Sequence, residues 1–150
     1  MAAALAVAAG VVGVLLLVQG PSEAERRDDA LEISEEFALA LASHDSADLE
    51  ASFEAVRRLS TGSFLDDFDQ TFASDQVRAT LEEAESNASA EIEVEPLLAE
   101  LDDDRARTFT AVRQRVTARE QEEPVERVVR IELVLVETDD GWRVDAVEVT

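Results

Sequence analysis

Few side chains in this sequence are of the types that do chemistry, and none stands at a spacing that a known reaction requires. The single histidine, His44, precedes Asp45 at the predicted end of a helix. A histidine there is favoured by the helix dipole alone; the competing role is a general base. Asp66-Asp67 and Asp102-Asp103-Asp104 would attract calcium, but neither run has the ligand spacing of a calcium loop, so both read as solvated surface. No cysteine is present. That removes thiol nucleophiles and disulfides and, with one histidine, the usual zinc ligand sets. There is no Ser-His-Asp context and no Gly-rich phosphate loop. The expectation is a protein without catalytic residues, metal or cofactor, and so not an enzyme. Asn87-Ala88-Ser89 matches the glycosylation sequon, a short pattern that arises often by chance, and reads as a loop ending a helical region. Trp142 reads as a core or rim aromatic, with a ligand platform as the alternative.

The composition narrows the partners. The chain has 150 residues, enough for one domain, and a formal net charge of −22. All 13 basic residues are arginine. Nucleic acid is excluded as a partner because phosphate binding needs a basic face, and anionic lipid headgroups are repelled for the same reason. The acidic surface serves either solubility or life at high salt, where screening relieves self-repulsion.

Residues 1–18 contain no charged side chain, and Gln19, Gly20 and Pro21 end the run. As a helix this segment spans about 27 Å, close to the hydrocarbon thickness of a bilayer. No Lys or Arg precedes it, so the positive start of a secretion signal is missing. Arg26 and Arg27 follow it among acidic residues, which leaves the positive-inside rule little to act on. The leading expectation is a single-pass signal anchor over residues 1–20, with residues 21–150 forming an extracytoplasmic domain. A signal peptide cleaved after Gly20 and a buried core helix are the alternatives; Pro21 would hinder the cleavage.

Ser22 and Glu25 form a capping box that opens a helix running to about Ser43. Its apolar stripe is Ala30, Ile33, Phe37, Ala40 and Leu41. Asp45 or Ser46 is expected to cap a second helix striped by Leu49, Phe53, Val56 and Leu59 and stopped by Thr61-Gly62. Ser63 is expected to cap a third, carrying Phe64, Leu65, Phe68 and Phe72, with a break near Ser74-Asp75 before Val77 and Leu81. Strands follow. Ala90, Ile92 and Val94 alternate with glutamates, and Pro96 marks an edge or a bulge. A second strand covers roughly Ala106 to Ala118. In the third, Val129, Ile131, Leu133 and Leu135 point one way. Asp139-Asp140-Gly141 then supplies a turn into a fourth strand with Val144 and Ala146 on one face. Helices come first and strands after. The fold class expected is therefore α+β, three helices covering one face of an antiparallel four-stranded sheet.

Three helices followed by a curved four-stranded sheet that closes on Gly141-Trp142 resemble the nuclear transport factor 2-like cone. More closely, the chain resembles the Mce-associated membrane proteins of actinobacteria, which place one membrane helix before such a domain. The likeness is carried by ALALASHDSADLEASFEAVRRL (Ala38 to Leu59), LSTGSFLDDFDQ (Leu59 to Gln70) and the closing DDGWRVDAVEV, in that order. It implies a non-enzymatic, membrane-anchored accessory subunit of an Mce-type lipid import system in the cell envelope. The implied partners are Mce-type transporter subunits or related membrane proteins, with the membrane reached through residues 1–18. The chain departs from the family in lacking a basic cytoplasmic leader. It also lacks tyrosine, which several enzymes of the cone fold use in their pocket. The alternative is a small-molecule binder or enzyme using an apolar cavity under the sheet, for which the candidate lining residues are Phe37, Phe53, Phe68, Phe72 and Trp142.

Overall fold

The computed structural model describes residues 20–150. The expected anchor, save Gly20, lies outside the described residues, and among those described no helix is long and apolar enough to cross a membrane.

Helix α1 spans Glu23–Leu41. Its capping box is complete: the Ser22 hydroxyl accepts from the Glu25 N–H at 3.2 Å and the Glu25 carboxylate accepts from the Ser22 N–H at 2.7 Å. These bonds satisfy two of the N–H groups a helix start leaves open, and they hold the Glu25 carboxyl below its ordinary range. The buried face of α1 is built from small residues around one large one. Ala30, Ser34 and Ala38 are fully buried together with Phe37. Their size lets the helix lie close over the sheet, where Ser34 donates to the Ala30 carbonyl and meets Thr108 Oγ1 at 2.7 Å.

Helix α2 spans Leu49–Arg58 and is capped by Asp48, whose carboxylate accepts from the Ala51 N–H; the cap lies beyond both positions expected, Asp45 and Ser46. Asp45 instead closes a turn onto the Ala47 N–H. Leu49, Phe53, Val56 and Leu59 are buried as their spacing requires. Gly62 does not end this helix. It opens α3, Gly62–Asp67, at φ +58°, and Ser63 sits inside that helix rather than capping it. A Cβ on Gly62 would collide with the Asp145 carboxylate, so α3 starts hard against the last strand. The predicted break is present. The chain widens into a π turn at Phe68–Phe72, and α4 restarts at Asp75–Glu83 under the Ser74 cap. The third helix expected is thus two, and among the described residues four helices cover the sheet.

The sheet is a meander, β1-β2-β3-β4, with β1 Asn87–Leu101, β2 Arg105–Thr117, β3 Val125–Thr138 and β4 Gly141–Val149, all antiparallel. Asn87 begins β1, so the sequon lies at a strand start rather than in a loop. Gly141, at φ +91°, makes the tight turn into β4. The inward row of β3 is as predicted, with Ile131, Leu133 and Leu135 at the centre of the core.

Two expectations about side-chain direction are overturned by bulges. On β1 the pairing slips between Ile92 and Val94, so Val94 pairs with Ala111 and turns away from the helices. On β4 the pairing slips at Asp145: Val144 faces Leu135, but Ala146 faces Val134 on the outer face, and Val147 takes the inward place opposite Leu133. An extra residue in one strand reverses every side chain beyond it. Edge strand β1 carries Pro96 within one of its irregular stretches, which discourages strand addition from outside. The outer face is laced by arginines of β2 reaching glutamates of β1 and β3, among them Arg113 to Glu93 at 2.6 Å and Arg115 to Glu126 at 3.1 Å. Such exposed pairs contribute about 0–1 kcal/mol each and chiefly keep the surface soluble.

Candidate functional site

At the end of the sheet where α1 stops, helices and sheet do not close on each other. They leave an open cleft of about 560 Å³, within the range of small-molecule sites. Its floor is the inner face of β3 and β4, with Val129, Ile131 and Val147; its walls are Leu41 of α1, Phe53 of α2, and Phe64, Phe68 and Phe72.

The aromatic wall follows from the helix break. A row of rings runs from the core outward: Phe37 meets Phe64 edge-on at 5.4 Å, Phe64 lies 6.0 Å from Phe68, and Phe68 stacks on Phe72 at 6.1 Å. Phe53 joins Phe68 edge-on at 5.9 Å. The π turn closes through the Ala73 N–H donating to the Phe68 carbonyl at 2.9 Å. That wider turn brings residues four apart into register, leaving Phe68 buried and Phe72 at the mouth, 56% exposed. Wide turns of this kind recur at functional sites. Outside the wall, Arg78 lies over the Phe53 ring at 5.1 Å and joins Arg57 in gripping Glu50, which holds α4 against α2.

The five candidate residues therefore separate. Phe53, Phe68 and Phe72 line the cleft. Phe37 stands behind it, fully buried, and reaches it only through Phe64. Trp142 is elsewhere, at the foot of α1. Its indole N–H donates to the Arg26 carbonyl at 3.1 Å, and the Arg26 guanidinium lies over its ring at 5.5 Å.

Polar groups gather on one side of the cleft, and sequence reasoning did not single them out. Gln114 of β2 and Arg127 of β3 are paired across the two strands on the inner face. The Gln114 amide donates to the Ala42 carbonyl at 2.7 Å, and its oxygen accepts from Arg127 Nε at 2.7 Å. Arg127 is thereby held by its Nε, while among the described residues it forms no ion pair. None of the 35 Asp and Glu residues of this chain lines the cleft. The signal available in the sequence was the break in alternation at VERVV, where an arginine takes an inward place ahead of Val129.

His44 is also on this rim. Its backbone forms a bridge with Ala88 at the start of β1, and its Nε2 lies 3.1 Å from Ser86 Oγ. Burial holds the imidazole below the ordinary histidine range, against the opposing pull of Ser86 and Asp45. The helix dipole expected to favour its charged form is not what governs it. Because the folded state prefers the neutral ring, the unfolded state takes up the proton first. The stability from this site is present above about pH 6.5 and is lost as pH falls through the lower folded value. Wild-type protein is expected to lose more melting temperature between pH 7.5 and 5.5 than His44→Gln; equal losses would show that His44 is not buried as described.

Asp66-Asp67 and Asp102-Asp103-Asp104 remain surface groups. Among the described residues no three acidic or histidine side chains gather to hold a metal. The backbone carbonyls of Asp102 and Asp103 accept from Arg26 instead. On the outer face of the sheet a shallower depression of about 360 Å³ lies between Val94, Leu97 and Phe109 on one side and Arg130 and Glu148 on the other. The bulge at Val94 creates it by turning that side chain outward.

The chain matches no known sequence family and no curated protein. Among solved structures it is similar to an IcmL-like type IV secretion system protein of Legionella pneumophila, at 11% identity and TM-score 0.69, covering 88% of this chain and 94% of that one. It is also similar to the periplasmic domain of DotI, at 15% identity and TM-score 0.61, covering 89% and 98%. A nuclear transport factor 2-like superfamily protein of Salmonella enterica serovar Typhimurium matches at 10% identity and TM-score 0.64, covering 86% and 92%. Likenesses at these identities establish architecture alone, and with the meander sheet, its bulges and the helices on one face they make residues 20–150 a nuclear transport factor 2-like cone.

Proposed function

We propose that this protein is a non-enzymatic accessory subunit held at the cell membrane, with its cone on the extracytoplasmic side, in a multi-subunit transport assembly of the cell envelope. The observation that carries this reading is likeness over nearly the whole cone to an IcmL-like secretion protein and to a domain named as periplasmic. The uncharged run of residues 1–18, ending just before the Ser22 cap, supplies an anchor of bilayer length. Catalysis finds little support, because the one histidine is tied to Ser86 and no carboxylate lines the cleft. The outer face, with its arginine–glutamate pairs beside Val94, Leu97 and Phe109, offers a mixed surface suited to a partner subunit.

The assembly we favour is an Mce-type lipid importer, on the order of anchor, Thr61-Gly62 helix start and closing Gly141-Trp142 strand. Affinity purification from detergent-solubilised native membranes, read by mass spectrometry, tests both levels. Recovery of lipid-import subunits with an uncleaved N-terminus is the expected result. Recovery of secretion-system subunits would keep the accessory role and replace the assembly. A cleaved, soluble protein without partners would overturn the proposal. A second role, small-molecule binding inside the cone, is favoured by the open cleft.

A further inference from the structure

We infer that the cleft is a binding site for a single-chain anionic amphiphile, its hydrocarbon tail along the phenylalanine wall and its acidic head on Arg127. Three observations converge. The cleft of about 560 Å³ is lined mainly by apolar side chains, so a tail gains by leaving water there at about 25 cal/mol per Å² buried. Among the described residues Arg127 is the only formally charged one lining the cleft, in a chain whose other surfaces are crowded with carboxylates. That arginine is aimed rather than loose. Its Nε is fixed on Gln114, which is itself fixed on the Ala42 carbonyl, so Nη1 and Nη2 are left for a carboxylate or phosphate fork.

The same geometry disfavours a peptide as occupant. A peptide brings an N–H and a C=O for each residue, and each left unmade in an apolar site costs free energy. Gln114 has both ends of its amide occupied, and His44 is engaged with Ser86. A hydrocarbon chain asks for no such partners. The net charge of −22 opposes an anion's approach, but at physiological ionic strength that repulsion is screened beyond about 8 Å, whereas Arg127 acts at contact. A cone that never met a transporter would hold this ligand equally well.

The head chemistry is shared by free fatty acids and by lysophospholipids with a terminal phosphate. Full-length protein in phosphatidylcholine nanodiscs would be photolabelled with a diazirine-bearing palmitic acid and with the corresponding fatty alcohol, and the adducts mapped by peptide mass spectrometry. The expected result is acid-selective labelling of the wall between Phe53 and Phe72. Arg127→Gln should reduce it about tenfold, the size of one charge-assisted hydrogen bond. Arg130→Gln, on the opposite face of the same strand, should leave it unchanged. Val147→Phe, which narrows the floor without touching the head site, should reduce labelling by acid and alcohol alike. Competition by unlabelled palmitate would identify a free acid as the preferred form; competition by lysophosphatidic acid alone would identify the phosphate. Labelling confined to residues 1–18 or to the outer face would overturn the inference. So would equal loss in Arg127→Gln and Arg130→Gln, or no competition by either lipid.

Discussion

Phe37→Ala is expected to remove about 4 kcal/mol of stability, a large share of the 5–15 kcal/mol typical of a domain. Phe37 is fully buried on α1, and its ring is the inner end of the aromatic row, edge-on to Phe64. Truncation forfeits the transfer of the ring and leaves a void that close-packed neighbours fill only in part. Phe37→Leu should cost much less, about 1 kcal/mol, because most of the volume is kept. Phe72→Ala, at the exposed end of the same row, should change stability by no more than about 0.5 kcal/mol. Urea denaturation of the three variants reads this gradient directly. Similar midpoints for Phe37→Ala and Phe72→Ala would contradict the placement of the row.

Trp142→Ala should cost a similar amount, about 3–5 kcal/mol, with a local signature. Trp142 is 3% exposed and ties the last strand to the first turn of α1 through the Arg26 carbonyl. The Arg26 side chain then spans the ring and the carbonyls of Asp102 and Asp103, and pairs with Glu137 at 3.3 Å. One aromatic thus gathers α1, the β1–β2 turn and the β3–β4 hairpin. Hydrogen exchange in Trp142→Ala should accelerate most over Glu23 to Ala30. Trp142→Phe keeps most of the packing but loses the N–H donor, at about 1 kcal/mol. Uniform acceleration across the domain would show that Trp142 acts only as core volume.

Alternation and capping made most of the architecture legible. The row Val129, Ile131, Leu133, Leu135 needs only period two, and Ser22-Glu25 needs only two side chains at the right separation; both stand in the structure as read. What sequence reasoning missed depends on events without a residue signature. The bulge at Asp145 is flanked by ordinary strand residues, so nothing in WRVDAVEV marks where the alternation slips; in EIEVEP, Pro96 marks an irregular edge strand, as read, but not that Val94 is the side chain turned outward. The burial of Ser34 was hidden because serine reads as surface, whereas its partner Thr108 is supplied by a strand 74 positions away. The cleft was legible in part. Helical spacing put Phe53 and Phe68 on buried faces, but their separation from Phe37 and Trp142 depends on where α1 stops relative to the sheet. Arg127 was passed over because an arginine in a strand ordinarily faces water; its inward position follows from its pairing with Gln114.

The meander has a consequence for biosynthesis. Each strand pairs with the one translated just before it, so the sheet can assemble hairpin by hairpin as it leaves the ribosome. Helix α1 cannot dock on the same schedule. Its closing contact joins Arg26 to Trp142, 116 residues later, an interval on the order of ten seconds at typical rates of about 5–20 residues per second. Helix formation itself takes about a microsecond or less. The middle of α1 can be covered earlier, since Phe37 meets Phe64 and Ser34 meets Thr108, but its first turn stays unpinned until Trp142 emerges, and a chain stalled before Gly141 would leave that end of the helix open to chaperones and proteases.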